Sequence, residues 1–302
     1  MIAVTVDIED WYHIPSVTGS PFSKFKNVDE FFSKWKGRYD YLSEPTVRVL
    51  DILDEFNIHA TFFVVADVTE HYPGLVEQIA ERGHEIACHG LHHACKIHPK
   101  TKQPLMSQNE FEERTLKAKE MLEKASGQEV IGYRAPAAYI AGWMIDSLEK
   151  LGFKYDSSVN VNSFYNKSDS KLSGVDTRPY YPRKHSLEPG GERGIMELSW
   201  PYFQFRFKFP TGGGPLLRFL GARYIKLGLR QSLKRGNTVF YFHPIDVSNE
   251  KFPSGFSAHR PFFWAIKGEV VERRIRNLLA GMDVRKMACK ELVRRQAGND
   301  IR

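Results

Sequence analysis

The sequence predicts an α/β fold in which helices cover a parallel sheet. Three observations carry this expectation. Seven strand signals run along the chain, all but one neighbouring pair separated by a helix signal. The strand runs are near-continuously apolar, as strands buried on both faces are. Acids and histidines stand just past the carboxyl ends of these runs: Asp7, Glu9 and Asp10 at the first, His89 and His93 at the third, His243 at the last. In a closed barrel of parallel strands such ends converge on one rim, where active sites are built. An open doubly wound sheet is the structural alternative.

Each element has a local reason. IAVTVDI, from residue 2, is β-branched and opens the chain as a strand. TVRVLDILDEF puts Val47, Leu50 and Leu53 on one helical face. HATFFVV, 59–65, is the second strand. Pro73 starts a short helix through Leu75, Val76, Ile79 and Ala80, and Gly83 ends it. HEIACH, 84–89, is the third strand. Ser107 and Glu110 make a capping box, with Met106 and Phe111 placed as a hydrophobic staple, and the helix stops at Gly127. VIGYR is the fourth strand. WMIDSLEKL is a helix ended by Gly152, and FKYD is the fifth strand. IMELS is the sixth. A basic helix from Pro215 to Arg235 precedes TVFYFH, 238–243, the seventh.

Organisation follows from these elements. Residues 1–250 form one barrel-like domain, interrupted by a long polar insertion at 158–194. Loops of that length are usually lids or disordered segments. Residues 251–302 form a C-terminal extension with two basic amphipathic stretches, expected to pack as helices on the outside. No glycine-rich phosphate loop follows a strand; the glycines at 212–214 lack the P-loop lysine.

Composition narrows the function classes. The chain has 302 residues and a formal charge of +7. A chain of this length can bury about 75% of its unfolded surface and needs no covalent staple. Its cysteines, Cys88, Cys95 and Cys289, are too few and too odd in number for a disulfide framework, which points to a reducing compartment. Cys88 and Cys95 flank the paired histidines, so a thiolate ligand is considered beside them. The first residues lack a basic stretch and a long apolar core, and no run reaches the roughly 18 apolar residues of a membrane span, so a cytoplasmic protein is expected. The basic balance suits an anionic surface or substrate. No nucleic-acid recognition motif accompanies it.

The chemistry lies in the acids and histidines. CHGLHH places His89 and His93 four residues apart, so that both imidazoles can share a cation. DIED offers one carboxylate as ligand and another to take a proton from water. Strand alternation puts Asp7 and Glu9 on one face and Asp10 in the following turn. Asp7 is favoured as base and Asp10 as ligand, with Glu9 the rival for either role or a contact to substrate. His243 is a candidate general acid. Arg134, in YRAP, can pair with the base. Asp156, in YDSS, can fix the His243 tautomer or pair with Arg134. Among the aromatics, Trp11, Tyr12, Tyr139, Trp200 and Tyr202 are candidates to stack on sugar. The aromatic–basic segment FQFRFKFP and the basic helix after it suggest contact with an anionic membrane or a lipid-linked substrate. The bland alternative is a solvated helix face.

These motifs together resemble the NodB-like polysaccharide deacetylases, carbohydrate esterase family four. VDIEDW stands where that family has T-F-D-D-G, HGLHH where it has H-[ST]-x-x-H, RAP where it has R-x-P, and FYFHP at its leucine-x-histidine. VDIEDW with YDSS and FHP is most similar to the exopolysaccharide-locus branch. The resemblance implies a distorted (β/α)7 barrel. It implies a divalent metal, most often zinc, bound through His89 and His93. It implies removal of N-acetyl groups from an amino sugar in a polysaccharide or its lipid- or nucleotide-linked precursor. Backbone N–H groups of Ala138 or Tyr139 are candidates to stabilise the oxyanion. A deformylase, another C–N amide hydrolase of the same fold, and a non-catalytic sugar-binding member are the alternatives.

Overall fold

A computed structural model describes residues 1–258 and 264–300. Residues 259–263 and 301–302 of the C-terminal extension lie outside the described residues. The strands are β1 (Ile2–Ile8), β2 (Thr61–Val64), β3 (Glu85–Cys88), β4 (Gly132–Tyr133), β5 (Tyr155–Asp156), β6 (Met196–Glu197), β7 (Tyr202–Gln204), β8 (Lys208–Pro210), β9 (Thr238–Phe242) and β10 (Lys286–Met287). The seven predicted strands are β1 to β6 and β9. They lie in the order β9-β1-β2-β3-β4-β5-β6, every pair parallel. β10 joins β1 at Ile2 and Ala3, below the point where β2 begins to pair at Thr5. The C-terminal segment thus enters the sheet as well as covering it.

The sheet curls into a barrel without complete hydrogen-bonded closure. Among the described residues β6 does not pair with β9. The outer edge of β9 is met instead by the glycines, through a bridge between Gly213 and Tyr241. Gly213 has φ +135, and a Cβ there would stand 1.8 Å from the Tyr241 carbonyl oxygen. Glycine is what lets the two backbones touch.

Strand parity sorts side chains into two layers. Ile2, Val4, Val6 and Ile8 pack outward with Phe62, Tyr133, Phe240 and Phe242 against the helices. Ala3, Phe63, Ala87, Tyr155, Met196, Val239 and Tyr241 fill the barrel interior. Residues in phase with the second set point inward: Asp7 does so near the end of β1, His89 and His243 continue it just past β3 and β9, and Arg134 follows outward-facing Tyr133.

The helices agree with their local signals. Ser107 accepts from Glu110 N at the start of helix Gln108–Ser126, and Gly127 ends it in the left-handed region. Helix Pro215–Leu233 is interrupted at Gly221, with φ 77 and ψ 178. Three features were not anticipated. The insertion is packed rather than loose: Val159, Val161, Leu172, Val175 and Leu187 are buried, and Ser168 bridges Ile140. FQFRFKFP is an antiparallel hairpin, β7 with β8. Helix Val28–Lys34 carries Phe31 into an aromatic cluster around Trp11. Trp11 and Tyr12 are therefore buried in that cluster rather than presented to a sugar.

His84 opens β3 at the rim opposite the acids and is fully buried. Its Nδ1 accepts from Ala60 N at 3.1 Å, which favours a neutral ring. Burial, with His59 nearby, pushes its pKa down to about 4. The unfolded chain then binds more protons than the folded one between that value and 6.5, so stability must fall as pH drops through this window and level off below it. Thermal melts of His84→Gln are expected to show a shallower decline from pH 6.5 to 4 than the wild type. An identical slope would remove His84 from the acid sensitivity of the fold.

Candidate metal centre and active site

Arg134 is the best-connected side chain at the strand ends. It is wholly buried, with Nη1 2.6 Å from Asp7 Oδ1 and 2.9 Å from Thr5 Oγ1. Its Nε donates to Ser157 O and its Nη2 to Ser157 Oγ, both at 2.9 Å. The guanidinium lies 4.0 Å from the Phe63 ring centroid. One planar fork thereby joins β1, β2, β4 and the turn after β5. It pairs with the carboxylate the sequence assigned to it.

His89 and His93 meet as expected, their ring centroids 5.0 Å apart. Each Nδ1 faces a carbonyl: His89 to Arg134 O at 2.8 Å, His93 to His13 O at 2.9 Å. A carbonyl only accepts, so both Nδ1 atoms carry a hydrogen, which leaves Nε2 as the ring atom that each can offer to a cation. Burial lowers the His89 pKa to about 4, leaving it a neutral ligand. Gly90, between them, has φ +87, a conformation that a residue with a side chain rarely adopts. This accounts for glycine where the related motif has Ser or Thr.

The carboxylate beside these imidazoles is Glu9. Ligand atoms of Glu9, His89 and His93 all lie within 4.8 Å of one another. Glu9 Oε2 is 2.8 Å from His93 Nε2, and Oε1 is 3.0 Å from His243 Nε2. Burial opposes ionisation of Glu9, but His93 and His243 outweigh it and hold its pKa well below the usual carboxylate range. Glu9 Oε2 is buried without a hydrogen-bond partner, an orphaned acceptor beside two imidazole nitrogens. A divalent cation fits this donor set, and the carbonyl-anchored Nδ1–H groups are the supports that metal-ligating histidines normally have.

Two assignments need correction. Asp10, expected as ligand, does not line the cavity. It takes a hydrogen bond from Trp11 N at 2.7 Å and another from Tyr72 Oη, as the cap of the short turn Trp11–His13. Burial pushes its pKa up to about 8. Strand parity is the reason: Glu9 continues the inward phase of Asp7, and Asp10 leaves it. Asp156 likewise touches neither His243 nor the Arg134 guanidinium. Tyr155 points inward, so Asp156 points outward, where it accepts from Ser158 N and Oγ and shares its site with Glu197. Burial raises the pKa of both acids. Asp156 acts at one remove: Ser158 Oγ also accepts from Ala135 N, beside Arg134.

The partner of His243 is Asp246, which the sequence reading missed. Asp246 Oδ2 is 3.1 Å from His243 Nδ1 and takes a hydrogen bond from His243 N at 2.7 Å. Arg218 pairs with Asp246 and lies 3.7 Å from the Trp264 ring centroid. Burial opposes the charge on His243, but Asp246 and Glu9 push its pKa up to about 10. The signal was the spacing in HPID, which is that of a helix cap. Lys167 was also missed. Its Nζ donates to Ala137 O at 2.9 Å, and burial lowers its pKa to about 8.

These groups open into a cavity of about 810 Å³, lined by Asp7, Glu9, His89, His93, Arg134 and His243, and by Tyr139, Lys167, Trp200 and Tyr241. Tyr139 and Trp200 thus reach the cavity as the sequence suggested. Ala138 N and Tyr139 N are spent on Ala135 O and Pro136 O. Ala137 N instead points at His93 Nε2, at 3.3 Å, from a left-handed backbone with φ 52. Cys88 and Cys95 are buried free thiols whose pKa values burial raises to about 12 and about 11, which suits them poorly as thiolate ligands.

Removing Arg134 strands Asp7 in a buried site. Arg134→Ala is expected to cost about 3–5 kcal/mol in denaturant titrations, and Arg134→Lys a large part of that, because an ammonium cannot reproduce the fork. A loss under about 1 kcal/mol would show that the guanidinium is not what holds these strand ends together.

Comparison with known proteins agrees with this fold. Residues 37–155 match the family described as polysaccharide deacetylase, and residues 167–293 match a domain of unknown function, DUF3473. A peptidoglycan deacetylase of Helicobacter pylori is 30% identical over 117 residues, which are 39% of this chain and 38% of that protein. The chain therefore spans about two fifths of that relative's length. A structure from Mycobacterium smegmatis described as a polysaccharide deacetylase superposes with a TM-score of 0.61 at 22% identity, covering 99% of this chain and 90% of that one. The PuuE allantoinase superposes at 0.56 with 15% identity, covering 97% and 88%. At such identities the structures establish the fold. The family matches and the curled parallel sheet together show that the chain carries a polysaccharide deacetylase domain of the NodB-like, carbohydrate esterase family four type, followed by a DUF3473 domain.

Proposed function

We propose that this chain is a metal-dependent carbohydrate N-deacetylase. The observation that carries the reading is one carboxylate and two carbonyl-anchored imidazoles in a cavity that also holds an Arg134-paired acid and an Asp246-paired histidine. Glu9, His89 and His93 would hold the ion, for which zinc is the first candidate. When bound, it supplies Lewis acidity that polarises an amide carbonyl and makes a water more acidic. Asp7, oriented by Arg134, takes a proton from the attacking water. The N–H of Ala137 faces the site and can donate to the carbonyl oxygen as charge develops there. His243, kept protonated by Asp246, delivers a proton to the departing nitrogen. Acetate and a free amine are the products.

The substrate we infer is an amino sugar in a glycan or in its lipid- or nucleotide-linked precursor. Tyr139 and Trp200 offer faces for a sugar ring, and Lys167 offers a cation for an anionic substituent. The DUF3473 domain, found in exopolysaccharide-locus deacetylases, favours exopolysaccharide synthesis over wall remodelling. Three free buried thiols suit a reducing, cytoplasmic setting. Among the described residues no helix is long and apolar enough to cross a membrane.

Two experiments test the roles. Glu9→Gln and His89→Ala are expected to lose bound metal and turnover together. Asp7→Asn should keep its metal and lose about 10²–10⁴-fold in kcat, while Asp10→Asn should keep its metal. Metal analysis beside an assay on acetylated amino sugars decides between them; metal loss in Asp10→Asn with retention in Glu9→Gln would reverse the ligand assignment. Asp246→Asn removes one of the two anions that raise the His243 pKa, so the alkaline limb of kcat/KM should move to lower pH by about one unit or more. An unmoved limb would mean that His243 is not the acid.

A further inference from the structure

Residues 198–245 contain eight Lys and Arg and no Asp or Glu, enough to account for the whole +7 excess of the chain. This stretch folds into two joined pieces. The hairpin β7–β8 and helix Pro215–Leu233 are tied by Gln231 Nε2 to Gln204 O at 2.8 Å and by Tyr224 Oη to Pro210 O at 3.0 Å. Along the helix after its break at Gly221 and at its cap, Arg223, Leu227, Arg230 and Lys234 are exposed, at steps of three and four residues that make one stripe, and Leu220 is exposed just before the break. At the hairpin tip Phe205 is 85% exposed, and Phe207, exposed beside it, approaches Phe164 to 6.1 Å between ring centroids. Among the described residues none of Arg206, Arg223, Arg230 and Lys234 has an acidic partner. Phe164, Leu220 and Tyr224 also line the cavity, so this face runs into its mouth.

We propose that the hairpin and the helix stripe dock on an anionic lipid bilayer, with Phe205 and Phe207 entering the interface and the basic stripe lying on the headgroups. An aromatic tip standing in water beside uncompensated cations is the pattern of a peripheral membrane surface. A soluble polyanion would engage the cations and leave the exposed phenyl rings unused. A protein partner or a second copy of this chain would need acids to complement the stripe, and this face offers none to its own twin. Docking also brings the cavity mouth to the lipid surface. The proposal concerns the surface alone and stands whether or not the chain deacetylates.

The test is co-sedimentation of the full chain with phosphatidylcholine vesicles, with and without about 30% phosphatidylglycerol, at about 0.1 M and about 0.5 M salt. The wild type should bind the anionic vesicles at low salt, at least about tenfold tighter than the neutral ones, and lose most of that binding at high salt. Phe205→Ser with Phe207→Ser, and separately Arg223→Glu with Arg230→Glu, should each weaken binding about tenfold or more while circular dichroism stays unchanged. Equal binding to both vesicles, or none to either, overturns the proposal. So does a phenylalanine variant that binds like the wild type, which would mark a simple polyanion site. A change of solution mass in that variant would mark self-association and overturn it too.

Discussion

The bond between Arg134 and Asp7 is the constraint around which the site is arranged. A buried guanidinium is tolerated only where its N–H groups find acceptors. Here they reach Asp7, Thr5 and both oxygens of Ser157, drawn from strands and turns distant in sequence. The consequence extends past the pair. The carbonyl of Arg134 takes the Nδ1–H of His89, so the residue that orients the acid also fixes a candidate ligand. Asp156, Glu197 and Ser158 brace the turn from the outer layer and so belong to the scaffold of this bond.

Charge is distributed in short relays. Arg218 pairs with Asp246, Asp246 with His243, and His243 with Glu9. In a water-poor cavity each link strengthens the next, because an ion without its partner would carry a heavy desolvation cost. The relay gives His243 and His89 opposite characters although both are buried imidazoles. Flanking carboxylates push one up to about 10, and burial brings the other down to about 4. One is suited to give a proton and the other to bind a cation. Environment, not residue type, separates the roles.

The barrel places these groups and the exposed basic face on different elements that meet at the cavity mouth. The candidate catalytic side chains lie on strand ends and short turns held by paired backbone. The exposed aromatic and basic residues sit on a hairpin and helix after β6, where the sheet is not closed by direct strand pairing. The gap between β6 and β9, bridged by Gly213, leaves room for this added structure beside the cavity.

Much of this was legible in the sequence because its causes are local. Apolar runs located the seven parallel strands, glycines and caps located helix ends, and the inward phase set by Ala3 carries directly to Asp7 and Glu9. That phase already set Asp10 apart, in the turn after the strand. Asp156 is different. Its outward direction depends on pairing with Tyr133 across two strands, which no spacing within FKYD reveals. The pairing of Asp246 with His243 was within reach as a cap, but its value as an ion-pair relay required Arg218 and Glu9 to arrive from elsewhere. The sequence by itself determined which elements form and which residues can face inward, since both follow from short-range periodicity and backbone sterics. Only the tertiary structure decided which inward residues share a charge, because that depends on strand register and on burial created when distant segments pack together.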